Sequence, residues 1–338
     1  MQAPVPPHRR SLPARVFLSP DERRLRAGWR PLIQLLLMAL LVVVGAVAVT
    51  LVFAAFAGRP PLAANASTAF VALTELSRVL AITASVYLAR RFLDRRSFRG
   101  LGLAWNRRAR RDLLFGVVLG GALMGLIYLA EWALGWLRFE AFAWQARPLP
   151  EALRPAVLAL VAFVFVGWQE ELLSRGYWPR NLADGLSLAW GVLLSSSMFA
   201  VAHLGNPNVS WIAVVGLAAA GLLFAYGYLR TRLLWLPIGL HIGWNFFEGP
   251  VFGFPVSGLE TSGLIQHTAR GPEVWTGGPF GPEAGLVVFP TLALGAALIY
   301  VYTRGTAGSR FAQSPERRGE SRSVGHREAR GVERSGRG

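Results

Sequence analysis

Gly167-Trp168-Gln169-Glu170-Glu171-Leu172-Leu173-Ser174-Arg175-Gly176-Tyr177 follows an apolar run, Ala156 to Val166, and drops three charged side chains into what still reads as one membrane helix. An ionisable group at the centre of such a helix costs about 2.5–3.5 kcal/mol on insertion scales, so the cluster asks for a purpose. Residues four apart share a helix face: Glu171 can pair with Arg175, while Glu170 points about 100° away and stays free. A carboxylate without a partner suits a general base. Two later apolar runs supply companions, Phe199 with His203 and His241 with Asn245, each pair at i and i+4. Glu170, Glu171, Arg175, His203, His241 and Asn245 on three helices form a set able to activate water and polarise a carbonyl, which is hydrolase chemistry in outline.

Those residues must be held by helices that cross a bilayer. Of 338 residues 53% are hydrophobic and the mean hydropathy is +0.39, with apolar runs near the length of a membrane span. The expected fold class is all-α, a polytopic membrane protein of about eight transmembrane helices. The formal charge of +16 comes from Arg, since the chain has no Lys, and it concentrates in the tails and alternate loops. That pattern reads as topology and attraction to the membrane surface, and no nucleic-acid partner is expected.

Taken in order, 1–30 reads as a basic cytoplasmic tail, 31–303 as the membrane domain and 304–338 as a disordered basic cytoplasmic tail. The spans are expected at Leu32–Phe56, Ala69–Leu88, Leu113–Ala130, Leu153–Ala183, Leu186–Ala202, Trp211–Leu229, Leu233–Phe247 and Ala284–Tyr302. The seventh is short, which suits a helix enclosed by others. Nine Arg between Arg90 and Arg111 mark a cytoplasmic loop. Gly116-x-x-x-Gly120 and Gly121-x-x-x-Gly125 are small-residue patterns that let helices approach closely, and Glu131 is expected at the interface. Glu75 and Arg78, at i and i+3, could face the active cavity but read rather as a structural ion pair between helices. Glu248 to Glu283 is a long Gly/Pro-rich outer loop, either functional or mobile.

Other hydrolytic chemistries lack their marks. With no Cys there is neither thiol nucleophile nor disulfide framework, and neither a His-Glu-x-x-His helix nor a Gly-x-Ser-x-Gly elbow is present. Glutamate-based hydrolysis remains.

Glu170-Glu171-x-x-x-Arg175, Phe199-x-x-x-His203 and His241-x-x-x-Asn245, in that order on successive hydrophobic segments, resemble the three signature motifs of the CAAX prenyl protease and bacteriocin-processing family of intramembrane proteases, over roughly 153–247. The resemblance implies an endopeptidase in an all-helical membrane core, with Glu170 activating water. It implies that His203, His241 and Asn245 stabilise the oxyanion, or that His203 and His241 with Glu170 bind a divalent metal such as zinc. It also implies a membrane-associated peptide or protein substrate, lipidated in some relatives, and a location in the bilayer, here expected to be a bacterial cytoplasmic membrane with both termini inside. The competing readings are a non-catalytic scaffold or immunity-type binding protein of the same fold, and a transporter using Glu75, Arg78 and Glu170.

Overall fold

The computed structural model describes residues 17–19, 24–57 and 67–307. The segment 58–66 and the tail 308–338 lie outside the described residues, as does the expectation of disorder for that tail. Two compact units are present, Met1–Ala296 and Ala297–Gly338, and the site described below lies in the first.

The helices are α1 (Trp29–Ala57), α2 (Thr68–Leu88), α3 (Arg107–Ala133), α4 (Leu149–Glu171), α5 (Trp178–Gly185), α6 (Leu188–Val201), α7 (Trp211–Thr231), α8 (Trp235–Phe246) and α9 (Val288–Ala307). With α4 and α5 counted as one continuous rod, they correspond to the eight expected passes. Six of the described helices are long and apolar enough to cross a membrane, whereas α6 and α8, at 14 and 12 residues, are shorter. Side chains mark the starts: Ser67, Asn106, Ser187 and Ser210 each accept a backbone N–H of the first turn of α2, α3, α6 and α7.

Helix α8 is buried at ten consecutive positions, Leu236 to Asn245, as its shortness suggested. It lies against α3 with almost no space between the backbones. A Cβ on Gly116 would stand 2.4 Å from the Leu236 carbonyl oxygen, and one on Gly120 2.4 Å from the Trp244 nitrogen. From the other side, Cβ atoms on Gly239 and Gly243 would meet the Leu113 and Val117 carbonyl oxygens at 2.1 and 2.2 Å. The small-residue pattern of α3 thus engages a second one on α8, and dispersion over the close seam replaces the hydrophobic drive that lipid cannot supply.

Between α4 and α5 the chain widens into a π-helical turn, Leu172–Tyr177, whose six residues are all buried. A regular α-helix was expected here, and the extra residue per turn is a device often found at functional sites. Where α5 begins, Trp178 donates to Gln34, which in turn donates to Ser85, so α1, α2 and α5 are joined by polar bonds.

Arg90, read from the sequence as a loop cation, is buried and pairs with Asp94 at 2.9 Å. Arg30 is 2.9 Å from Asp184 and donates to Asn181, while Asn181 donates to Asp94. Buried charges so paired cost little once formed but are destabilising to break singly.

Glu131 is not at an exposed interface: it is buried, with neither carboxylate oxygen hydrogen-bonded, where strand β1 (Leu137–Phe142) packs against the end of α3. β1 pairs antiparallel with β2 (Ile265–Ala269), in register from Leu137↔Ala269 to Phe142↔Ile265 with an irregularity between Phe139 and Ala141. The segment 248–283 is therefore ordered structure, pinned by this ribbon near its middle.

Candidate active site

Helix α4 ends on Glu170 and Glu171, and α8 crosses beside it. Glu171 is wholly buried and its Oε1 accepts two bonds: from Arg175 Nη1 at 3.1 Å, within the π-turn, and from His241 Nδ1 at 2.8 Å, on α8. The first was expected. The second adds a positioning task, because an acceptor at Nδ1 places the proton there and turns Nε2 to the other side.

On that other side stands Glu170. Its Oε2 is 3.7 Å from His241 Nε2 and has no hydrogen-bond partner, although the side chain is 28% exposed. This gap is too long for a direct bond and is of the kind a shared water closes.

Arg175, expected to pair with Glu171, is fully buried. Its guanidinium lies 4.4 Å from the ring centre of Phe199 and 5.0 Å from that of Phe224. The absent side chain of Gly221, whose Cβ would be 3.2 Å from Arg175 Nη2, leaves it room. Phe224 also stacks on His241 at 5.2 Å, and Phe199 meets the same imidazole edge-on at 6.0 Å. Two aromatic rings therefore hold both the cation and the imidazole that Glu171 serves.

His203 follows the end of α6. Its Nδ1 is 2.8 Å from the Phe199 carbonyl oxygen, which only accepts, so Nδ1 carries hydrogen and Nε2 faces away. Asn245, one turn beyond His241 on α8, is buried.

Glu170, His203, His241 and Asn245 line one cavity of about 330 Å³, with Phe163 and Val166 of α4 in its wall. Glu171 and Arg175 stand behind it as support. Arg78 also reaches the lining, the less favoured of the two sequence readings, and pairs with Glu75 on its own helix rather than between helices. Among the described residues no group of three or more His, Cys, Asp or Glu side chains is placed to hold a metal ion. The donors His203, His241 and Glu170 share the cavity without converging as a ligand set.

Several lining residues were missed from the sequence. Phe224 and Trp244 read as ordinary apolar helix positions. Asn206 lay in an uncharged turn, and Ser257 and Glu283 lay in the outer loop. Trp244 is three residues after His241 on α8 and shares its face, which the helix repeat could have shown; Asn206, Ser257 and Glu283 follow no repeat and are brought in by fold-backs of the chain.

No curated protein and no solved structure matches the chain. Residues 152–247, which hold the whole Glu-Glu-Arg, Phe-His and His-Asn set and exclude Arg78, Ser257 and Glu283, match the family model described as type II CAAX prenyl endopeptidase Rce1-like.

Proposed function

We propose that the protein is an intramembrane endopeptidase that hydrolyses a peptide bond of a membrane-associated peptide or protein, with Glu170 as the general base. The observation that carries the reading is the unpartnered Glu170 oxygen facing His241 across 3.7 Å, inside the cavity that His203 and Asn245 also line.

Water held between Glu170 and His241 Nε2 gives its proton to Glu170 as its oxygen attacks the scissile carbonyl carbon. The carbonyl oxygen becomes an oxyanion, to which the Asn245 amide donates. His203, its ring fixed by the Nδ1 bond to the Phe199 carbonyl, presents Nε2 to the same cavity. The C–N bond then breaks and the amine leaves with the proton that Glu170 took. Glu171 holds His241, and Arg175 holds Glu171. No step is routed through a metal.

The test is cleavage of a diverse peptide library, with lipidated members, by full-length protein in lipid discs. Wild-type cleavage that vanishes in a folded Glu170→Gln variant supports the reading, and cleavage unchanged in that variant overturns it.

A further inference from the structure

The carboxylate of Glu283 enters the catalytic cavity from a part of the chain that lies outside the matched domain. It sits on a single 3₁₀ turn, Pro282–Ala284, and is only 6% exposed. Its placement is built rather than incidental. Gly216 of α7 has no side chain where the Glu283 carbonyl oxygen stands, 2.1 Å from where a Cβ would be. Gly281, just before it, has φ +106, and its Cβ would stand 2.2 Å from the Pro255 carbonyl oxygen. The Ser257 hydroxyl donates to Glu283 Oε2. Ser257 is held for this with φ +48, a left-handed conformation that costs a non-glycine residue energy and collects at functional sites. Asn206 anchors that strained residue by donating to its carbonyl oxygen at 2.8 Å.

The charges around Glu283 do not balance. Arg78 is committed to Glu75 and Arg175 to Glu171, and among the described residues no arginine pairs with Glu283. The imidazoles of His203 and His241 are the basic groups that act on it, and Glu170 adds a second negative charge. Behind it Glu248 is wholly buried with neither carboxylate oxygen hydrogen-bonded. Burial pushes the Glu283 carboxyl above its ordinary range, a displacement that an arriving cation would reverse. A cleft with apolar walls, among them Val256 and Leu259, and acidic groups lacking a fixed counter-ion draws positive charge.

We infer that Glu283 forms a subsite for a cationic group, a lysine or arginine side chain of the peptide bound in the cavity, with Ser257 fixing the carboxylate. The subsite rests on the peptidase reading for its substrate, but its occupancy is measured without cleavage.

The probe is a random octapeptide library containing lysine, together with a twin in which norleucine, of similar length and uncharged, replaces it. Binding is measured by affinity selection on full-length Glu170→Gln protein in lipid discs and on the same protein also carrying Glu283→Gln. Lysine peptides should be retained about tenfold or more over their norleucine twins, the scale of one charge-assisted hydrogen bond, and Glu283→Gln should level the two. Equal retention with Glu283 present, or a lysine preference that survives Glu283→Gln, overturns the subsite. On protein with Glu283 intact, n-butylammonium should displace the lysine peptides and n-butanol should not, which tests the subsite even where the variant fails to fold; equal displacement overturns it. The peptidase reading fails separately, through wild-type protein that cleaves no better than Glu170→Gln while lysine preference persists.

Discussion

Glu171 Oε1 stands 2.8 Å from His241 Nδ1 and 3.1 Å from Arg175 Nη1, so one buried carboxylate oxygen ties α4, its π-turn and α8 together. The pair that reads as local on the sequence is half of a three-residue arrangement whose other half is 70 residues away.

Removing the charge of Glu171 strands a buried guanidinium. Glu171→Gln should lower stability by about 3–5 kcal/mol, the usual effect of breaking one side of a buried pair. Glu171→Met combined with Arg175→Met should recover most of that loss, yet leave cleavage impaired because His241 then lacks its Nδ1 acceptor. Thermal unfolding in lipid discs, read beside peptide cleavage, separates the two effects.

Glu170→Gln keeps size and polarity but cannot take a proton. Cleavage should fall by about 10²–10⁴-fold, the range for a positioned general base, with the melting temperature little changed. A fall accompanied by unfolding would count against the catalytic assignment.

Because the described donors form no ligand set of three or more, cleavage should withstand chelation. The check is activity after prolonged treatment with a strong chelator and after adding back zinc. Loss on treatment and recovery on zinc addition would show that His203, His241 and Glu170 close on a metal, contrary to the placement observed.

Gly120→Val should drive α3 from α8, since the first added atom would stand 2.4 Å from the Trp244 nitrogen. A loss of at least about 1–3 kcal/mol is expected from overpacking, and cleavage should fall with it because α8 carries His241 and Asn245. Gly125→Ala, whose Cβ would make only ordinary contact with Phe252 at 3.5 Å, should be tolerated.

His267, in the β1–β2 ribbon outside the spans, packs edge-on against Tyr128 and Phe254. Burial holds its pKa below the ordinary 6.5. A group depressed on folding binds its proton more readily when unfolded, so it contributes stability above about pH 6.5 that is lost as the pH falls through that value toward its folded pKa. Melting temperature should therefore drop on acidification, and His267→Phe should make that drop smaller. An unchanged slope in the variant would exclude this contribution.

What could be read from the chain was what a helix repeat encodes locally. Glu171 with Arg175, Phe199 with His203 and His241 with Asn245 are each four residues apart, and 3.6 residues per turn puts such pairs on one face whatever surrounds them. The apolar runs fixed the membrane class, and the glycine spacing of α3 marked a close seam. What the tertiary structure decided depended on segments far apart in sequence: the second partner of Glu171, the burial of Arg90 and Glu131, the β1–β2 pairing, and the entry of Ser257 and Glu283 into the cavity. Such contacts carry no period. They come from loop closure and from the places where glycines such as Gly216 and Gly281 let one backbone lie against another, and only the folded chain shows which those are.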